Sequence, residues 1–145
     1  MVKSLRKFIL IIFIGCFLTL SLDVYSEVII IAPSEDSQER LQEALILAKP
    51  GDIVQLTTGI YELEDSLSLD IDSITIQGNG HEGTILDFSD QKSGAQGLMV
   101  TSDDVVLRDF AVLDTKGDAI KVKGSDGISF INIRTEWSGG PLSTN

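Results

Sequence analysis

The stretch LSLDIDSITIQGNG (residues 67–80) decides how this chain is read, because it recurs. LMVTSDDVVLRDFA (98–111) and IKVKGSDGISFINI (120–133) lie over it position by position. Leu67, Leu98 and Ile120 align, as do Leu69, Val100 and Val122. An acidic turn follows at Asp72, Asp103 and Asp126. Ile74, Val105 and Ile128 come next, then Ile76, Leu107 and Phe130. The copies are offset by 31 and then 23 residues in the second half of the unit. The longer spacing is taken up by the polar insertion SDQKSGAQG at 89–97, and the third copy slips by one residue between its two strands. Apolar and polar residues alternate within each copy, the period of a strand with one buried face.

A repeat of this length built from strands and turns alone has few solutions. Leucine-rich repeats need a Leu/Asn signature that is missing, and propeller blades need longer units. The pattern predicts an all-β fold, a parallel β-helix solenoid in which stacked coils bring equivalent apolar residues into one core. One helix precedes the strands. Asp36 and Glu39 have the spacing of a capping box, Leu41, Ala44, Leu45 and Ala48 follow helical periodicity, and Pro50-Gly51 ends it. It is expected to cap the first coil, whose edge would otherwise recruit other chains. The chain thus divides into a leader (1–26), the cap helix with the first coil (27–63), and further coils (64–145).

The leader reads as a signal peptide. Lys3, Arg6 and Lys7 precede an apolar run to Leu22, and Val24 and Ser26 stand at the small-residue positions of a cut before Glu27. The run falls short of the roughly 20 residues of a spanning helix. The expected location is therefore periplasmic or secreted, with membrane contact only through the leader or a lipid. The competing reading is an envelope lipoprotein, since FIGC (13–16) is close to a lipobox and makes Cys16 a candidate lipidation site. Against it, the apolar run continues past the cysteine.

Charge narrows the function classes. The whole chain carries 22 acidic and 11 basic residues; without residues 1–26 it carries 21 and 8. Such an acidic surface excludes nucleic acid as the expected partner. No cysteine lies outside the leader, so no disulfide holds the fold.

Two segments carry a family resemblance. LQEALILAKPGDIVQLTTGIYEL (41–63) resembles the cap and first coil of the pectate-lyase-like right-handed β-helix superfamily. DTKGDAIKVKGSDGISFINIRTEWSGGP (114–141) is similar to bacterial secreted parallel β-helix repeat proteins, whose members carry ordinary or lipoprotein signals and no assigned biochemical role. The resemblance implies a right-handed β-helix. It also implies that the sequence, ending at GGPLSTN with no closing cap, is the front of a longer protein. Enzymes of that superfamily act on uronate polymers as lyases or C5-epimerases. They neutralise a sugar carboxylate with Ca²⁺ or with Arg/Lys beside a base.

Few residues offer such chemistry. Asp72, Asp103 and Asp126 are a candidate metal ladder for Ca²⁺, although aspartate is equally at home in turns for its own backbone hydrogen bonds. Lys121, Lys123 and Arg134 are a candidate polyanion-binding strip, set against their plainer role as outward residues that keep a sheet soluble. His81 is a lone turn histidine, and Tyr61 and Trp137 are the planes available for sugar stacking. No catalytic residue is singled out and enzyme status stays open. The first expectation is an exported protein that binds or processes an acidic polysaccharide. The alternative is a non-catalytic structural or interaction module working with an envelope partner protein.

Overall fold

The computed structural model describes residues 25–139. Cys16 and the leader up to residue 24 lie outside the described residues, as do residues 140–145. Among the described residues are twelve strands and one helix: β1 (Val28–Ile31), α1 (Ser37–Leu47), β2 (Ile53–Leu56), β3 (Gly59–Glu62), β4 (Leu67–Leu69), β5 (Thr75–Gln77), β6 (Thr84–Asp87), β7 (Gln96–Val100), β8 (Val106–Arg108), β9 (Ala111–Leu113), β10 (Asp118–Val122), β11 (Ser129–Ile131) and β12 (Arg134–Glu136). They form three sheets, ordered β1-β2-β5-β8-β11, β4-β7-β10 and β3-β6-β9-β12. Every pairing is parallel.

The expected all-β, right-handed parallel β-helix solenoid is corrected by this arrangement. Among the described residues the chain is mostly sheet with one short helix, and its five-stranded parallel sheet curls into a half-barrel, without the clear right-handed form of a solenoid. The physical reason is that period-two alternation fixes which side chains face inward but not how a sheet bends. Parallel strands twist against one another, and the rotation accumulates across five neighbours. The sheets are also unequal, with five, three and four strands.

The residue pairings follow the repeat. Leu67 and Ile120 both pair with Leu98, Leu69 and Val122 with Val100. Val54, Ile76, Leu107 and Phe130 form one column that begins at Ile29. The slip in the third copy is absorbed at Gly124, whose φ of +66° suits a residue without a Cβ. The core holds Val54, Leu56, Leu67, Leu69, Ile76, Leu98, Val100 and Leu107 from the repeat, with Phe88 and Phe110 filling the corners.

Burial departs from expectation at the last strands. Val122 is 37 % exposed and Phe130 52 % exposed, although both occupy inward columns. β10, β11 and β12 are the terminal strands of their sheets, so among the described residues no further strand covers them.

At the opposite end α1 packs on β4, β3 and β1. Its buried stripe is Leu41, Ala44 and Leu45. Gln42 accepts a hydrogen bond from the Ser68 amide at 2.9 Å and donates to the Ser68 carbonyl at 3.0 Å, so one side chain satisfies the free edge of β4. Gln38 accepts the Asp65 amide in the same way. The expected capping box is not formed, since the Asp36 side chain makes no cap hydrogen bond. Instead buried Ser37 accepts from the Ser34 amide and donates to the Ser34 carbonyl.

Candidate functional site

The aspartates of the repeat form a ladder, and its bonds are to backbone. Asp72 Oδ1 accepts the amide of Asp103 at 2.9 Å, and Asp103 Oδ1 accepts the amide of Asp126 at 2.8 Å. Each carboxylate therefore ties one passage of the chain to the next. Beside them runs a column of left-handed residues: Gly51, Ser73, Asp104 and Gly127, with φ of +97°, +61°, +55° and +70°. Aspartate and glycine tolerate this backbone region better than most residues. The structure brings Asp72, Asp103 and Asp126 together in adjacent strand passages, with two of the three carboxylates engaged by amides. No group of three or more metal-ligating side chains is found among the described residues.

The three basic candidates are not gathered. Lys121 lies on β10 facing outward beside Met99, and its Nζ is 3.4 Å from Asp118. Lys123 follows β10 and is exposed. Arg134 begins β12, in a different sheet, and its guanidinium meets Glu136 at 2.7 Å. Tyr61 cannot serve as a sugar platform because it is fully buried, its hydroxyl donating toward the carbonyls of Ile31 and Thr57. Burial pushes that hydroxyl's pKa above its ordinary value. Trp137 is half exposed and donates its indole N–H to the Thr115 carbonyl at 2.9 Å.

One polar corner assembles residues the sequence kept apart. The turn between β5 and β6 brings His81 and Glu82 to Arg134, which donates to the His81 carbonyl at 3.4 Å. Glu82 Oε1 lies 3.1 Å from His81 Nδ1 and 3.9 Å from Arg134 Nε. Neither nitrogen has a hydrogen bond aligned on a partner, although both are shielded from solvent. Alongside, Asp109 accepts from the Asn132 amide group at 2.8 Å and from Arg108 Nε at 2.8 Å. These two donors, Asn132 first, hold its carboxyl below the usual range. The corner thus combines an imidazole, two guanidiniums and three carboxylates, with each guanidinium facing an acid.

Sequence reasoning set Arg134 among the lysines and His81 alone in a turn. It missed Glu82, Asp109, Asn132 and Glu136 as their company. The usable signal was glycine: a Cβ at Gly78 would run into the Asp109 carbonyl and the side chains of Thr84 and Phe110. A residue that must be glycine for close approach marks a turn folded tightly onto its neighbour.

A shallow open groove runs along the exposed side of α1, lined by Gln38, Glu39, Gln42, Glu43, Ile46 and Leu47. Ile46 is 59 % and Leu47 66 % exposed. No helix among the described residues is long and apolar enough to cross a membrane.

Comparison with protein-family models, with curated proteins and with solved structures found no match to this chain. Nothing in those comparisons supports the pectate-lyase-like resemblance of residues 41–63 and 114–141.

Proposed function

We propose that this chain is a non-catalytic interaction module of the cell envelope, working through the exposed ends of its sheets. One observation carries this reading: among the described residues Phe130 is half exposed and Val122 partly exposed, while their column neighbours Val100 and Leu107 are fully buried. Unpaired strand edges with apolar inward residues favour pairing with another polypeptide. The ion pairs point the same way, since Arg108, Arg134 and Lys121 already face carboxylates. The basic start and apolar run of residues 1–22 support export.

The test is a photoreactive phenylalanine analogue in place of Phe130 in the exported chain. Cross-links from this position to a polypeptide support the module. A chain that forms no cross-link and cleaves or epimerises a polyuronate overturns it.

The acidic-polysaccharide reading, lyase- or epimerase-like and with Ca²⁺ as its candidate cofactor, keeps one specific support. Arg134 meets the His81 turn at one corner, where a sugar carboxylate could compete with Glu82 and Glu136 for its guanidinium. Binding of oligouronates that Arg134→Gln abolishes, with and without Ca²⁺, is its expected signature. Unchanged binding in that variant removes the corner from consideration.

A further inference from the structure

We propose that Asn79 is a modification site: it deamidates spontaneously at a rate set by opening of the turn between β5 and β6, and its isoaspartate product holds that turn open. The pair Asn79-Gly80 suits the chemistry, because a glycine nitrogen, with no Cβ beside it, can approach the preceding side chain. The Gly80 nitrogen gives up its proton and attacks Cγ of Asn79. A C–N bond forms, the side-chain nitrogen leaves with that proton as ammonia, and a succinimide remains. Water then opens the ring at either carbonyl, leaving aspartate or isoaspartate at position 79.

The fold restrains both reacting groups unequally. Gly80 donates its N–H to the Asp109 carbonyl at 2.9 Å, so the attacking nitrogen is held by the next passage of the chain. The Asn79 N–H donates to Oγ1 of fully buried Thr84 at 2.9 Å. The Asn79 side chain is exposed and held only loosely, by Gln55 Nε2 and Thr58 Oγ1 at 3.4 Å each. Reaction therefore waits on rupture of the Gly80–Asp109 bond, which is a local opening. That bond lies inside the stack, since β5 and β8 each have a paired strand on both sides. The isoaspartate form cannot close again. Its main chain runs through the former side-chain carbon and is one atom longer, in a turn with no room to spare: a Cβ on neighbouring Gly78 would run into the Asp109 carbonyl. The same turn carries His81 and Glu82, so its release also loosens their contacts with Arg134.

Mass spectrometry of the purified chain in mildly alkaline buffer, folded and in urea, tests this, with amide exchange at Gly80 read alongside. Conversion of Asn79 is expected to be about tenfold or more slower in the folded chain than in the unfolded one. Thr84→Ala, which removes the acceptor of the Asn79 amide, is expected to raise both the folded rate and Gly80 exchange by about fivefold, and Thr84→Ser to restore them. Protein containing isoaspartate, separated by chromatography, is expected to have lost protection at Gly80. Asn79→Asp, with a main chain of normal length, is expected to keep it. Equal rates in the folded and unfolded chains overturn the gating. A folded chain that stays intact while the unfolded chain converts overturns the site. Protection at Gly80 that survives in the isoaspartate form overturns the release of the turn. The comparison of folded with unfolded rates needs no variant, so it stays decisive if Thr84→Ala does not fold.

Discussion

At one end of the described residues the sheets meet a helix; at the other the last strands are β10, β11 and β12. Around α1, Leu41 and Leu45 are buried against strands, and Gln42 completes the hydrogen bonds of β4. At β10–β12 the same columns continue into Val122 and Phe130, which no strand covers among the described residues. The two ends share residue types and register, so the difference is one of company, not of composition. A column position earns its burial from the strand beyond it.

That contrast can be broken most directly by cutting into both ends. Leu45→Ala at the helix end is expected to cost about 2–5 kcal/mol, in the range for buried leucines, while Phe130→Ala is expected to cost under about 1 kcal/mol, as for an exposed site. Urea unfolding at low protein concentration compares them. Equal costs would mean that Phe130 is covered in solution.

Tyr61 lies near the helix end and tests whether its burial is tight. Tyr61→Phe removes the one O–H donor shared by the Ile31 and Thr57 carbonyls and is expected to cost about 1–2 kcal/mol. The pH dependence has a definite sign. Because burial raises the hydroxyl's pKa above 10.0, its contribution is complete below that value and is lost as pH rises through the higher folded value. Stability of the original chain should therefore fall in strong alkali, and the phenylalanine variant should lack that part of the fall.

Gln42→Leu removes the side chain that finishes the β4 edge. About 1 kcal/mol is expected, since water can reach the released groups, together with faster amide exchange at Ser68. Protection unchanged at Ser68 would argue that packing alone closes this end.

The smallest difference lies in the aspartate ladder. Asp103→Ala frees the Asp126 amide and is expected to cost about 0.5–1 kcal/mol. Asp126→Ala is expected to cost close to nothing, because its carboxylate has no hydrogen-bond partner among the described residues. Similar melting shifts for the two would show that Asp126 is also engaged.

Much of this was legible in the residues themselves. Leucine, isoleucine and valine recur in the repeat because each must fill the same slice of core, and the strand register follows them from Leu67 to Phe130. Aspartate at 72, 103 and 126 reads in the sequence as local turn chemistry, whereas Asp72 and Asp103 bond the amides of the next passage, 31 and 23 residues on. The curl of the five-stranded sheet was not, since alternation carries no term for bending. The exposure of Val122 and Phe130 was hidden too, because inwardness is local and coverage is not. The His81–Glu82–Arg134 corner depends on residues 53 positions apart in the chain meeting across a turn. Charge pattern along the sequence gives no hint of it.

The insertion at 89–97 has a consequence of another kind. It lengthens one passage of the chain, yet Leu67 still pairs with Leu98. Gln91 is the brace: it is buried, donates to the carbonyls of Ser93 and Gln96, and accepts the amide of Lys116. Extra length is thus discharged into a corner that has its own internal scaffold, and closing a longer surface loop adds little entropy. This corner is a natural port for foreign sequence. A short epitope or recognition peptide inserted between Gly94 and exposed Ala95 would ride on the outside and leave in place the Ser93 carbonyl that Gln91 bonds.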